Sequence, residues 1–556
     1  MSASSRGMAA VVVAGLLAAA SLAAQQEHLH PAQPEKLGTV HFETSCQPAA
    51  QASFDRAMAL LHSFEFGPAI QGFTATLATD SGCAIAYWGI ALARWGNPFA
   101  AVVRQPPQLQ QGLDAIVRAR AAAAKTARER AYIEAAAKLY VDFDKVDQRA
   151  RVVAYCAAME QLAGTYPDDH EASIFYALSL TASALPTDKT YANQLKAGAI
   201  LEKLYFQQPD HPGIAHYIIH TYDVPALADQ ALDAARSYAK IAPSAPHALH
   251  MPSHTFTRVG AWQESIDTNI LSADAARREG ATAEELHAMD YLTYAYLQTG
   301  QDRAVQALTQ ALPDVARRLD VNAVGSAAPG SAGVFAIAAI PVRWALERRD
   351  WRAAAALEPR STQFPYAEAM TYFARALGAA RTGALPQARA SVDALQQIED
   401  RLTQTGEAYW AEQTEIQRLG ASAYLAFAEG KPNDALQLMR TAAEREDATE
   451  KNAVTPGPVA PARELLGDLL LDLKQPAAAL AEYQATLKKE PNRFRALYGA
   501  AKAASLAGDQ LTARTLYAQL LTVCVKADRP GRSELDEARK ATGQTYATPR
   551  GETYGR

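Results

Sequence analysis

The chain has 556 residues, 54 of them basic and 59 acidic, with a formal charge of −5, 12 histidines and 4 cysteines. That length exceeds one ordinary domain and requires several domains or one long repeat array. The charge balance excludes a protein built mainly around nucleic-acid affinity. Four cysteines exclude a disulfide-dense scaffold, and 31 glycines with 29 prolines exclude a fibrous or low-complexity chain.

Residues 1–24 read as a signal peptide. Arg6 supplies the positive start, residues 8–20 form an uncharged apolar run too short for a stable span, and small residues suit cleavage after Ala23 or Ala24. The expectation is export to the periplasm or the medium, with no stable membrane span once the signal is removed. Residues 25–50 follow as an N-terminal extended segment. An exported chain can keep disulfides, and Cys46 with Cys83 is the candidate pair. Cys156 and Cys524 fall in helical patterns and read as buried free thiols.

Residues 51–451 read as helical almost throughout, rich in alanine and leucine, with apolar residues three and four apart. Residues 452–461 form a Pro-rich loop, residues 462–541 return to the helical pattern, and residues 542–556 form a flexible tail. A period of 34 links Gly467 to Ala501, Ala479 to Ala513 and Tyr483 to Tyr517. It recurs between Ala354 and Ala388 and between Ala231 and Ser265. Small residues on paired helices with a tyrosine filling the gap resemble the tetratricopeptide repeat. The fold class expected is therefore all-α: a superhelix of helix-turn-helix repeats, one continuous solenoid.

Seven of the 12 histidines lie between His211 and His287. Offsetting the chain by 34 brings Pro209 onto Pro243, Pro212 onto Pro246, His216 onto His250 and His220 onto His254. Each histidine pair is spaced i, i+4, so both imidazoles leave one helix face about 6 Å apart. The first helices of such repeats line the concave surface, where partners bind. His247, His287, Asp290 and Tyr294 fall on the same face by this frame, with Asp223 and Arg258 at its edge.

Three readings are open. The histidines pack between crowded helices. Alternatively His216, His220, His250 and His254 ligate one transition-metal ion (Zn, Cu, Ni or Fe), since imidazole suits all four. Or His247, Asp223, Arg258, His287, Asp290 and Tyr294 bind a protein, peptide or small anionic ligand in the concave groove, with nucleic acid excluded as a partner. No glutamate completes a His-Glu-x-x-His motif, and no phosphate loop, nucleophile elbow or Cys-x-x-Cys pair is present. His62, a lone histidine on an apolar helix, reads as structural, and Trp262 as a packing residue.

The texts "GTVHFETSCQPAAQASFDRAMALLHSF", "CAIAYWGIALARWGNPF", "HPGIAHYIIHTYD", "PHALHMPSHTFTRVGAWQESI" and "VTPGPVAPARELLGDLLL" resemble exported bacterial tetratricopeptide-repeat proteins of roughly this size. The resemblance implies the fold and export and points to the His-rich segment. It supplies no reaction. Similar proteins are expected to carry a histidine after the lysine at 451, where this chain has Asn452.

Overall fold

The structure is a computed structural model that describes residues 35–100, 103–323 and 325–544. The signal segment and residues 545–556 of the expected tail lie outside the described residues. Among the described residues there is no strand, and helices follow one another from Pro48–His62 to Ser533–Thr542. Most pair with their sequence neighbours as antiparallel hairpins, so the all-α solenoid holds. None of these helices is long and apolar enough to cross a membrane.

The small-to-large packing read from the sequence is visible at the C-terminal repeats. Tyr483, fully buried on Pro476–Lys489, sits against Gly467 and Gly499 of the two flanking helices. A Cβ built on Gly499 would lie 2.4 Å from its ring. Glycine there is what allows two helices to close on one tyrosine.

Residues 35–47 carry no helix and are tied down at two points. The Thr39 N–H donates to the Asp210 carbonyl at 3.0 Å, and Cys46 is bonded to Cys83, 37 residues on. Reducing that bond is expected to cost roughly 2–4 kcal/mol, because the unfolded chain regains the loop's entropy. Melting curves with and without reductant check this; equal midpoints would show the bond to be neutral. Of the free thiols, Cys524 is buried as expected, whereas Cys156 is only half-buried.

The array departs from its frame where the histidines lie. Ala231, expected within a second helix, closes a short 3-10 turn (Ala228–Ala231), and the helix starts at Leu232. The helix expected to carry His250 and His254 is interrupted at Pro252, which has no N–H to donate. It becomes Pro246–His250 and Pro252–Arg258. Met251 between them keeps helical dihedrals (φ −53°, ψ −36°), so the i, i+4 register survives.

The face that carries the histidines is not an open groove. Three irregular segments meet over it. The Asn97 side chain donates to the Ala327 carbonyl at 3.1 Å, and Asn452 donates to the Phe99 carbonyl at 3.3 Å. Glu450 accepts from Lys189 at 2.6 Å and from Tyr191 at 2.9 Å. The Pro-rich loop at 452–461 is thus a cover, held by the N-terminal and middle repeats.

Candidate metal centre

The Pro212–Thr221 helix starts where Pro212 needs no N–H partner, and its whole length is buried. It aims His216 and His220 at the next helical pair, which carries His247, His250 and His254. His287 comes from Thr282–Gln298, one hairpin further on. None of the six is more than 7% exposed.

The four histidines read as one ligand set belong to two. His216, His220 and His247 form one triad and His250, His254 and His287 a second, each with ligand atoms within 4.8 Å of one another. The two i, i+4 pairs keep their spacing, with ring centroids 4.9 Å and 5.1 Å apart. His247 and His287 complete the sets because each stands across from a pair. His247 Nε2 is 3.2 Å from His216 Nε2, and the His287 ring is 4.4 Å from that of His250. The triads adjoin: the His220 and His254 rings are 5.7 Å apart, and those of His247 and His250 6.1 Å.

Hydrogen bonds on the far side of the rings set the tautomers. His216 Nδ1 faces the His62 carbonyl at 2.6 Å, and His254 Nδ1 faces the Asp223 carboxylate at 3.0 Å. Both partners only accept, so both Nδ1 atoms carry the proton. His250 Nδ1 lies 2.7 Å from Asn269 Oδ1, and the Asn269 amide group donates to the Ser265 carbonyl at 2.7 Å. That orients Oδ1 toward His250, whose Nδ1 therefore donates too. His250 Nε2 and His254 Nε2 then both carry no proton, yet they face each other at 3.1 Å, with the Tyr291 hydroxyl 3.4 Å from His254 Nε2. Two lone pairs at that distance repel unless a cation lies between them. A proton is disfavoured, because burial holds both imidazoles below their ordinary pKa, that of His254 at about 4. Two nitrogens bound to one tetrahedral zinc-like ion stand about 3.4 Å apart, close to what is seen.

The same pattern holds around the cluster. Burial lowers the pKa of His216, His220 and His287 well below the usual value, so these rings are neutral, the form that ligates. His220 Nε2, His247 Nδ1, His287 Nδ1 and Glu284 Oε2 are buried with no hydrogen-bond partner. The His247–Glu284 approach of 3.8 Å is too long for a hydrogen bond. Aromatic rings wall the site: Phe99 stacks on His220 at 4.1 Å, and Phe64 lies 4.3 Å from His216. A small cavity touches His220, His247, His254 and His287, with Phe99, Trp410 and Asn452 on its other walls.

Of the residues expected to bind a ligand, His247 and His287 line this cavity and the other four do not. Asp223 sits behind His254 and is saturated by Arg258 at 2.8 Å and Lys451 at 3.2 Å. Burial pushes its carboxyl up, but the two cations hold it well below the usual range. Arg258 also donates to the Asp223 carbonyl, so its guanidinium is held inward rather than offered to a groove. Asp290 is buried against Arg343 at 2.7 Å, and Tyr294 donates to Glu490 at 3.0 Å and accepts from Arg493. Neither residue lines the cavity at the histidines. Both pair instead with cations far along the chain. His62, read as structural, bridges Tyr217 and Glu171 at 3.0 Å each, with His211 on the other oxygen of Glu171; His62, Glu171 and His211 form a third group with ligand atoms within 4.8 Å of one another, already joined by these hydrogen bonds.

Lys451 was missed entirely, since one lysine in an irregular segment carries no sequence signal. His247 had a faint one. Its equivalent 34 residues earlier is Gly213, and a Cβ there would meet His62 Nδ1 at 2.4 Å. The ring of His62 occupies in the first copy the room that a side chain takes in the second.

No protein-family model and no curated protein matches the chain. Among solved structures it is similar to an IFIT1 monomeric mutant with Gppp-AAAA, at 10% identity and TM-score 0.36 over 86% of this chain and 98% of that one. A human IFIT1 dimer with m7Gppp-AAAA gives 11% identity and TM-score 0.35 over 87% and 98%.

Proposed function

We propose that the protein is an exported tetratricopeptide-type metalloprotein that holds transition-metal ions in the six-histidine cluster. The carrying observation is the pair of unprotonated nitrogens, His250 Nε2 and His254 Nε2, facing each other at 3.1 Å in a buried site. Asp223 and Asn269 behind these ligands do what outer-shell partners do at metal sites, fixing ring orientation and tautomer. Two triads favour two ions rather than the single ion expected from the sequence. The alternative of a protein, peptide or anionic ligand in a groove has less support, because Asp223 and Arg258 satisfy each other and the face is covered. Export, and membership among the exported bacterial repeat proteins, rest on the pattern of residues 1–24, on the quoted texts and on the Cys46–Cys83 bond, which suits an oxidising compartment.

Binding to the folded state raises its stability by about 2.7 kcal/mol at a hundredfold excess over the dissociation constant. Untagged, metal-stripped protein titrated with Zn(II), Co(II) or copper should therefore melt at a higher temperature. His254→Ala should lose about half of that gain. Melting that ignores every metal would contradict the proposal.

A further inference from the structure

Seven arginines are buried among the described residues. Five of them, Arg258, Arg343, Arg493, Arg495 and Arg532, pair with a carboxylate. Arg104 and Arg151, 6% and 4% exposed, are held by backbone carbonyls alone. Arg104 donates from Nε to Trp95 and from Nη2 to Asn97, both at 2.7 Å, and its Nη1 meets no acceptor among the described residues. Arg151 donates to Leu139 and Val146. Asp147 acts on Arg151 through its field, but it caps the Ala150 N–H at 2.9 Å and forms no ion pair with it. The two guanidiniums are neighbours, 4.0 Å and 5.6 Å from the ring of Trp95. Two buried like charges without a counter-charge are costly in a low-dielectric interior. Burial and the field of Arg151 pull the pKa of Arg104 down to about 10, which still leaves it charged.

Arg104 lines a chamber of about 400 Å³, a volume usual for small-molecule sites. The acids on its walls are already engaged. Asp223 is held by Arg258 and Lys451, Glu450 by Lys189 and Tyr191, and Asp188 caps the Thr190 N–H at 2.9 Å. The Glu450 oxygen that lacks a partner is sealed from solvent, so it does not meet an incoming ligand. Arg149, exposed on the same wall, donates only to the Ser183 carbonyl and adds positive charge. Beside the chamber lies a pocket of about 50 Å³ lined by Phe64, Trp95, Phe175, Leu178 and Tyr217. Pro98, Val152 and Ala182 border both spaces, and Trp95 joins the pocket to the guanidinium of Arg104. A pocket this small suits an aliphatic chain rather than a ring.

From this we infer that the chamber binds a small organic monoanion: a carboxylate held by Arg104, on a short aliphatic body that reaches the pocket beside Trp95. Arginine suits a carboxylate because its planar fork donates charge-assisted hydrogen bonds. His220 lines the same chamber, so the ligand sits next to the histidine cluster. The inference goes beyond the metal-binding reading and does not depend on it.

The test is calorimetric titration of the full mature chain, stripped of metal, with hexanoate, hexanamide and hexylamine. Hexanoate is expected to saturate at about one per chain and to bind at least about tenfold tighter than hexanamide, with hexylamine weaker still. Arg104→Gln should bring hexanoate down to the level of hexanamide and leave hexanamide unchanged. Circular dichroism reports whether that variant folds. Ala182→Trp keeps the guanidinium and fills the border of pocket and chamber; it should weaken hexanoate about tenfold or more. No saturable hexanoate binding at millimolar concentration, or hexanoate bound no tighter than hexanamide, overturns the inference. So does hexanoate binding confined to metal-loaded protein and unmoved by Ala182→Trp, which assigns the carboxylate to the ions instead. Failure of every metal to bind removes the metal reading and leaves this one standing.

Discussion

Metal-free protein is expected to lose stability steeply between pH 7 and pH 5. His62, His216, His220, His250, His254 and His287 are all held below their ordinary pKa, chiefly by burial and, for most of them, also by neighbouring imidazoles. A folded-state pKa below the unfolded value near 6.5 means that the unfolded chain binds more protons in the window between the two. Stability from these groups is therefore present above about pH 6.5 and lost as pH falls toward the folded values, about 4 for His254. His254 alone accounts for roughly 2 kcal/mol by pH 5. Seven carboxyls work in the opposite direction, Glu279, Asp290, Glu399 and Glu407 by less and Glu65, Glu446 and Glu464 by more. Burial raises their pKa, to about 7 for the last two, so they favour the folded state as pH falls. Only three of these carboxyls move far, so the six imidazoles leave a net loss on the order of a few kcal/mol. Urea midpoints of stripped protein at the two pH values measure it. An unchanged midpoint would show that the imidazoles are not held neutral.

Arg343→Leu is expected to cost about 3–5 kcal/mol, the range for breaking a buried ion pair. Arg343 is fully buried and clamps two things at once. It binds Asp290 at 2.7 Å, next to the ring of Tyr291 that packs on His250, and donates to Thr455 at 2.8 Å, Gly457 at 3.0 Å and Pro458 at 3.1 Å. Burial already raises the Asp290 pKa against the pull of Arg343; without the guanidinium nothing offsets it. Denaturant melts report the loss, and amide exchange across residues 452–458 should accelerate as the cover loosens. Adding Asp290→Leu should recover part of the stability, because an apolar pair replaces an orphaned charge, but not the slow exchange. A single variant within 1 kcal/mol or so of wild type would show that the clamp is not structural.

The repeat architecture was legible because its cause is local. Gly467 and Tyr483 recur 34 residues on as Ala501 and Tyr517, and the packing that requires small beside large is the packing observed at Tyr483. The registration of His216 and His220 with His250 and His254 was legible for the same reason. The division into two triads was not. His247 and His287 have no histidine 34 residues away, and their positions depend on the break at Pro252 and on a third helix pair. The cover was also hidden: residues 452–461 have no periodicity, so nothing in them says which face they cross. Asp290 and Tyr294 lie on the expected helix, but the cations that claim them, Arg343 and Arg493, are 53 and 199 residues away. Asn452, where similar proteins are expected to have histidine, lines the cavity beside His220, which gives that position a place next to the proposed ions.

The most direct test of the six-histidine centre is elemental analysis of untagged mature protein, stripped, reloaded with Zn(II) or copper and separated from excess. Two triads predict about two equivalents per chain for the preferred metal, falling to about one in His254→Ala. Less than about a tenth of an equivalent of every transition metal in a folded sample would contradict the account, and the histidines would then be packing residues alone.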